Sequence, residues 1–511
     1  MKLLEVIDTF VEQFPILIVT TGVFSAFTIL VSGIFSRKIG YYILLFVTAI
    51  HFMMSIAILN YVISFGRIHY WIGGWRPPWG IEYVVDHLNA YVLVVILFLS
   101  FLSVVFAKRS VEKEIDEKKH PTFYTVMQLL IAGCCGVVVT GDVFNLFVLA
   151  EVASLATYAL IAIAGGKALR ASFTYLILGS IAICFYLLGI GFLYAVTGTL
   201  NMIDMRLLLQ NIYDNKMVQV AFALVVVGLG IKAAVFPLHT WQPDAYTYAP
   251  SAVTLIMSTV VAKTFVYALI RIVFSVFTVN FLQKYINAWE LVSWLAAVTI
   301  IVGSILAFRQ YNIKRMLAYS SIVNVAYIML GISMFYSYWG LSGALANILN
   351  HAVAKGCAFA AIGAIIYKTG LKDVRYYSGL AKKMPYTCGA FLISALTLIG
   401  IPPLAGFVTK FYLMLGCLEV KNYTMLAVIL LGSLLTLAYF WRVVEEMYFK
   451  SVEDENTHGN AEERFNEAPI TMLAPTMLLA ILCIALGIYW LTSIPLEIID
   501  KMIASMGVIL K

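Results

Sequence analysis

Glu151, Lys232, Lys263, His351, Lys355 and Lys410 stand in stretches that are otherwise apolar, and each side chain is of a type that can hold or pass a proton. Glu151 lies in GDVFNLFVLAEVASLATYALIA, Lys232 in GLGIKAAVFPLHTWQPDAY and Lys263 in AKTFVYAL; His351 and Lys355 share NILNHAVAKGCAF, and Lys410 lies in IPPLAGFVTKFYL. An ionisable group in hydrocarbon costs about 2.5 to 3.5 kcal/mol on insertion scales, so each is a candidate for ion or proton transport. A lysine removed from water sheds its proton more readily, and a carboxylate brought beside it reverses the effect. At a separation of ~4 Å the attraction is about 4 kcal/mol for an effective dielectric near 20. Opening and closing a Glu151–Lys232 pair would therefore move a proton. A purely structural ion pair is the competing reading of those two residues, but it does not account for the other buried lysines.

His351 and Lys355 are four residues apart and fall on one helix face. Lys232 and His239 would share a face only if their helix continued past Pro237. Proline removes a backbone donor and breaks a helix, so interruptions are expected after Lys232 and, at Pro402 and Pro403, before Lys410. Broken helices at membrane depth expose backbone groups only where these face protein or water, and such breaks in both halves of a chain mark transport pathways. His239, Asp142 and Asp244 are accessory candidates; the two aspartates sit near helix ends, where capping competes with proton traffic. His51 reads as a hydrogen-bonded core residue, and Arg271 as a side chain reaching for the membrane interface.

The elements that must position these groups follow from composition. The chain has 511 residues, 62% of them hydrophobic and 12% charged, too apolar for a soluble globule. Fourteen apolar segments of membrane-spanning length are predicted between Pro15 and Trp490, giving an all-α polytopic membrane protein. Basic residues concentrate in the odd-numbered loops (Lys108, Arg109, Arg309, Lys314, Arg315, Lys382 and Lys383 among them), which places those loops in the cytoplasm and both termini outside a prokaryotic cell membrane. Glu5, Asp8 and Glu12 precede the first segment in place of a basic region, so it reads as a retained helix rather than a signal peptide. Trp71, Trp75 and Trp79 read as an outer interfacial belt, and the charge-rich segment Glu445 to Glu467 as a cytoplasmic connector or docking loop.

Several function classes drop out. The seven cysteines lack CxxC spacing and read as packing residues, the Cys134-Cys135 pair included. No Walker A or dinucleotide fingerprint is present, no carboxylate cluster suits sodium, and the net charge of +7 follows from loop topology rather than from a nucleic-acid partner. A self-contained carrier of a small solute and a non-conducting structural subunit are the rival classes.

The order of GDVFNLFVLAEVASLATYALIA, LYAVTGTLNM, IKAAVFPLHTWQPDAY, NIKRMLAYSSI, NHAVAKG and IPPLAGFVTKF resembles the antiporter-like subunits of respiratory complex I, multisubunit sodium/proton antiporters and energy-converting membrane hydrogenases. GDVFNLF and LYAVTGTLNM look most like the D-type antiporter subunit, with similar subunits in archaeal membrane-bound hydrogenase and sulfur-reducing complexes. The resemblance implies fourteen core helices, with two inverted five-helix repeats and discontinuous helices 7 and 12. The corresponding segments are 1–121 (three helices), 122–278 (first bundle), 289–449 (second bundle), 450–469 (loop) and 470–511 (last helix and tail). It also implies that Glu151, Lys232, Lys263, His351 and Lys410, with Lys355 as a weaker match, form a proton pathway. Membrane subunits of one complex would be the partners, sodium would move through neighbours, and iron-sulfur or nickel-iron centres would belong to partner subunits, none to this chain.

Overall fold

The computed structural model describes residues 10–285, 289–450, 466–490, 492 and 494–508. Most of the predicted loop at Glu445 to Glu467, and Glu5 and Asp8 at the start, lie outside the described residues. The helices are α1 (Phe14–Phe35), α2 (Ile39–Phe65), α3 (His87–Glu114), α4 (His120–Val139), α5 (Val143–Ala162), α6 (Lys167–Thr197), α7 (Met202–Leu209), α8 (Lys216–Lys232) and α9 (Trp241–Tyr248). The rod α10 (Ser251–Tyr285) comes next. Then follow α11 (Trp289–Phe308), α12 (Ile313–Ser333), α13 (Tyr338–Thr369), α14 (Pro385–Ile399), α15 (Ala405–Glu419), α16 (Tyr423–Tyr448), α17 (Ile470–Tyr489) and α18 (Ile494–Ser505). Among the described residues, 12 helices are long and apolar enough to cross a membrane. The predicted segment Phe391 to Leu418 is split at Pro402-Pro403 into α14 and α15; the predicted segment Val218 to Phe236 is helical only as far as Lys232, and α9 begins beyond Pro237.

Polar residues start the helices where the chain turns. Asp86 accepts from the backbone of Leu88 and Asn89 to cap α3, and the Asn89 side chain reciprocates on the Asp86 N–H. Asp142 caps α5 by accepting from Asn145 N at 2.7 Å. The interior helices α10, α12 and α13 are buried almost throughout, whereas α1, α2 and α16 turn much of their surface outward. Helices apolar on every side belong in such a core. Around it α6 packs on α8, α11 on α12, and α13 on both α12 and α15. Two turns of α10, Met257–Val261 and Ile272–Phe277, are π-helical and flank the straight segment that carries Lys263.

Three features depart from the sequence-based expectation. A two-stranded antiparallel hairpin, β1 (Ile68–Trp71) and β2 (Glu82–Val85), interrupts the all-α pattern; Gly141 N donates to Glu82 O at 2.9 Å and ties it to the α4–α5 junction. Trp75 and Trp79 project from its connecting loop, 69% and 88% exposed. Arg271 does not reach an interface: it is buried in α10, and its guanidinium meets Asp86 Oδ2 at 2.5 Å. A buried charge is costly unless it is paired, so the guanidinium is compensated in place. Lys314, counted with the loop cations, is also buried and donates to Ala249 O.

Candidate functional site

Glu151, Ser154 and Tyr158 are spaced i, i+3, i+7 along α5 and therefore line one face. Lys232 reaches that face from the last turn of α8. Its ammonium donates to Glu151 Oε1 at 3.0 Å, Ser154 Oγ at 2.7 Å and Tyr158 OH at 3.1 Å. Three donors thus meet three acceptors. The lysine side chain is 1% exposed and the glutamate 24%, so the pair has a closed end and an accessible one. Gly179 of α6 makes room for it: a Cβ there would sit 1.9 Å from Tyr158 OH and 3.3 Å from Lys232 Nζ.

The chain breaks immediately beyond this lysine. After α8 ends, Ala234 adopts φ +55° and Val235 N reaches back to Gly230 O at 2.9 Å. Ile231 O, which takes a backbone bond from Ala234 N at 3.1 Å, also accepts from the Trp241 indole at 2.9 Å. Trp241 stacks on Tyr175 at 3.7 Å, and Tyr175 meets Tyr158 edge-on at 4.6 Å. This aromatic column joins the far side of the break to the lysine's own partner, fixing the end of α8 without a continuous helix. His239 lies in the break, stacked on Phe236 at 5.2 Å, beyond a shared face with Lys232.

Lys232 Nζ lies 5.9 Å from the Phe265 ring, two residues from Lys263 on α10. Lys263 donates to Ser258 O, a carbonyl within the first π turn. On α13, Lys355 donates to Leu317 O of α12 at 3.0 Å. His351 is fully buried, and both ring nitrogens lack a hydrogen-bond partner among the described residues. His351 and Lys355 lie one turn apart on α13, and α13 packs against the first π turn of α10, to which Lys263 is bonded. The three groups thus form one interior cluster between α10 and α13.

Lys410 occupies the second break. It points from α15 to the C-terminal end of α14, donating to Leu398 O at 3.1 Å, Ile399 O at 2.9 Å and Ser433 Oγ of α16 at 3.1 Å. The last carbonyls of a helix lack intrahelical donors and carry its negative end, which suits an ammonium. Gly400 permits the turn with φ +90°. Asn350, beside His351, donates to Thr409 Oγ1 at 3.4 Å and brings α13 towards this end of the cluster.

The accessory candidates separate. Asp142 is the helix cap of α5, and Asp244 pairs with Arg315 at 3.3 Å where both are partly exposed. His51 accepts from or donates to Thr21 Oγ1 at 2.8 Å within the core. Ser154 and Tyr158 escaped the sequence reading although their spacing from Glu151 signals them; Ser433 and the Tyr327 ring, 4.9 Å from Lys410 Nζ, carry no such signal.

A multi-helix membrane protein with buried lysines at two helix breaks, one of them paired with a carboxylate, is the class that fold and site define. The family model described as NADH:quinone oxidoreductase/Mrp antiporter, TM matches residues 140–436, and the chain belongs to that family. NADH-quinone oxidoreductase subunit N of Desulforudis audaxviator is 42% identical over 426 residues, covering 82% of this chain and 84% of the relative. The D-type Na(+)/H(+) antiporter subunit of Bacillus subtilis is 32% identical, covering 73% of this chain and 74% of the relative. Among solved structures, a chain of the Mrp complex from Dietzia sp. DQ12-45-1b superposes with TM-score 0.86 at 26% identity, over 97% of each chain. A chain of the archaeal membrane-bound sulfane sulfur reductase gives TM-score 0.86 at 31% identity, over 97% of this chain and 98% of that one. The protein is thus a membrane antiporter-like subunit related to those of complex I, Mrp and the sulfane sulfur reductase.

Proposed function

We propose that this chain conducts protons within a multisubunit membrane complex driven by redox chemistry in its partners, a membrane-bound hydrogenase or a relative of one. The observation that carries this reading is the Glu151–Lys232 contact of 3.0 Å at the end of a broken helix. At that distance the attraction is of order 5 kcal/mol for an effective dielectric near 20, enough that parting the two changes whether the lysine keeps its proton. Movements in neighbouring subunits part the pair. The proton passes from Lys232 through Lys263 and the His351–Lys355 cluster to Lys410, which releases it. In this reading each broken pair, α8 with α9 and α14 with α15, completes one crossing, giving fourteen in two inverted five-helix bundles, with the odd-numbered loops cytoplasmic and both termini outside. Sodium, where it moves, uses neighbouring subunits.

Measuring proton translocation by the reconstituted native complex with wild-type and Lys232→Ala subunits tests this. Loss of translocation is expected while assembly and partner turnover persist. Unchanged translocation would sink the proton route and favour a structural coupling role. A second reading, the D-type subunit of a dedicated sodium/proton antiporter, is favoured by the likeness to the Bacillus subtilis protein and the Mrp complex. The two readings differ in what drives the complex: a redox substrate supports transport in the first, and only an imposed ion gradient does so in the second.

A further inference from the structure

We propose that the cleft between α8, α10, α11 and α12 is a binding site for a phospholipid acyl chain. The cleft has a volume of about 310 Å3, and its walls include Val227 of α8, Leu269 of α10, Ala296 of α11 and Val325 of α12. Its floor is the non-helical turn after Lys232, where Val235, Phe236, Pro237 and Leu238 turn towards the cavity. Among the described residues, no ionisable side chain lines it. Thr299 supplies the one side-chain hydroxyl in that lining, already donated to Leu295 O at 2.6 Å.

Water held in a cavity needs two to four polar partners, and the described lining offers no side chain that is free. Val227 on the rim is 38% exposed, so the cleft opens on the protein's outer surface. The adjoining outward face of α11 presents Trp294, Val298 and Ile305, side chains suited to hydrocarbon. In a chain with 12 membrane-length helices among its described residues, the medium at such an opening is the bilayer interior, and a flexible methylene chain is its component that fits a narrow apolar cleft. Val235, Phe236, Pro237 and Leu238 line the cleft with apolar groups, which keeps the occupant off the polar backbone of the turn that ends α8, as non-helical backbone at membrane depth requires. The proposal rests on the lining and the membrane setting and stands whether or not Lys232 conducts protons.

The test uses the whole complex in liposomes containing phosphatidylglycerol with a photoactivatable diazirine near the end of one acyl chain. After irradiation, labelled peptides are mapped by mass spectrometry. Peptides of α11 and α12 facing the cleft are expected to label about tenfold more than the exposed Phe46 and Met53 surface of α2, the contrast that ~1.4 kcal/mol of preference gives. Ala296→Phe, which fills the cleft, should abolish the excess while leaving α2 labelling unchanged; Ala326→Leu does the same more gently if the first variant does not assemble. Equal labelling of cleft and α2, an excess that survives filling, or cross-links from a neighbouring subunit's side chains inside the cleft would each overturn the proposal.

Discussion

Lys232 and Lys410 are both buried ammonium groups beside a broken helix, yet their partners differ in kind. Lys232 is held by a carboxylate and two hydroxyls from α5. Lys410 is held by two backbone carbonyls and one hydroxyl. A carboxylate on a neighbouring helix can move away or take up a proton, so its hold is switchable. Carbonyls at a helix end keep their dipole as long as the helix stands. On the proposed reading, the first half sets when a proton leaves and the second half receives it against a constant background.

Glu151→Ala is the harshest way to break this contrast. It strands an ammonium with 1% exposure between two hydroxyls, and breaking a buried pair from one side costs about 3 to 5 kcal/mol. Thermal unfolding of the purified complex should shift accordingly, and proton translocation should cease. Lys232→Ala should stop translocation with a smaller loss of stability, because the glutamate left behind is 24% exposed and less fully enclosed than the lysine. The double variant Glu151→Ala/Lys232→Ala should regain stability and not translocation. A double variant as unstable as Glu151→Ala alone would show that the loss does not come from the stranded charge.

Lys410→Ala is expected to cost less, since it leaves Leu398 O and Ile399 O without their donor rather than a bare charge, about 1 to 3 kcal/mol. Translocation should still fail, because the receiving group is gone. If Lys410→Ala destabilised the complex as much as Glu151→Ala, the distinction between the carboxylate and the carbonyl cradle would lose its energetic meaning.

Smaller again is the effect of crowding the first site. In Gly179→Ala the added Cβ falls 1.9 Å from Tyr158 OH, so the phenol must leave Lys232 while Glu151 stays. Loss of one hydrogen bond to a charged group is worth about 1.5 to 3 kcal/mol. Translocation should drop by about tenfold or more without being abolished. Tyr158→Phe removes the same hydrogen bond, so adding it to Gly179→Ala should lower translocation no further. A further loss on adding Tyr158→Phe would place the damage elsewhere on α6.

The helix breaks and the buried lysines were legible because their causes are local. Pro237, Pro402 and Pro403 lack an N–H wherever they occur, and a lysine in an apolar run is costly in any fold. Ser154 and Tyr158 were readable by the same helical spacing, one and two turns from Glu151. What was not readable depends on distant partners. Arg271 finds Asp86 across 185 residues, so its own stretch gave only the expectation of an interfacial side chain. Lys314 stands beside other basic residues and looked like part of a loop, but its carbonyl partner on Ala249 comes from a distant part of the chain. The stack of Trp241 on Tyr175 depends on how the break folds back, which no periodicity reports.

A pair outside the spans supplies the gentlest comparison with Glu151 and Lys232. Glu82 of β2 accepts from Asn201 Nδ2 at 2.7 Å and meets His69 Nδ1 at 2.8 Å. Burial alone would raise its proton affinity, but the bonds from His69 and Asn201 outweigh burial and hold the carboxyl below its ordinary value of 4.5. A folded-state value below the unfolded one means the unfolded chain binds more protons in between, so this stabilisation is complete above about pH 4.5 and disappears as pH falls through the folded value. His69 is 40% exposed, and a pair so open to water contributes under about 1 kcal/mol. Exchange protection of the Gly141 amide, which donates to Glu82 O, should therefore stay level from neutral pH down to the carboxylate range and then decline slightly, after correction for the intrinsic exchange rate. In Glu82→Gln the decline should vanish. A decline that persists in Glu82→Gln would assign it to another acid.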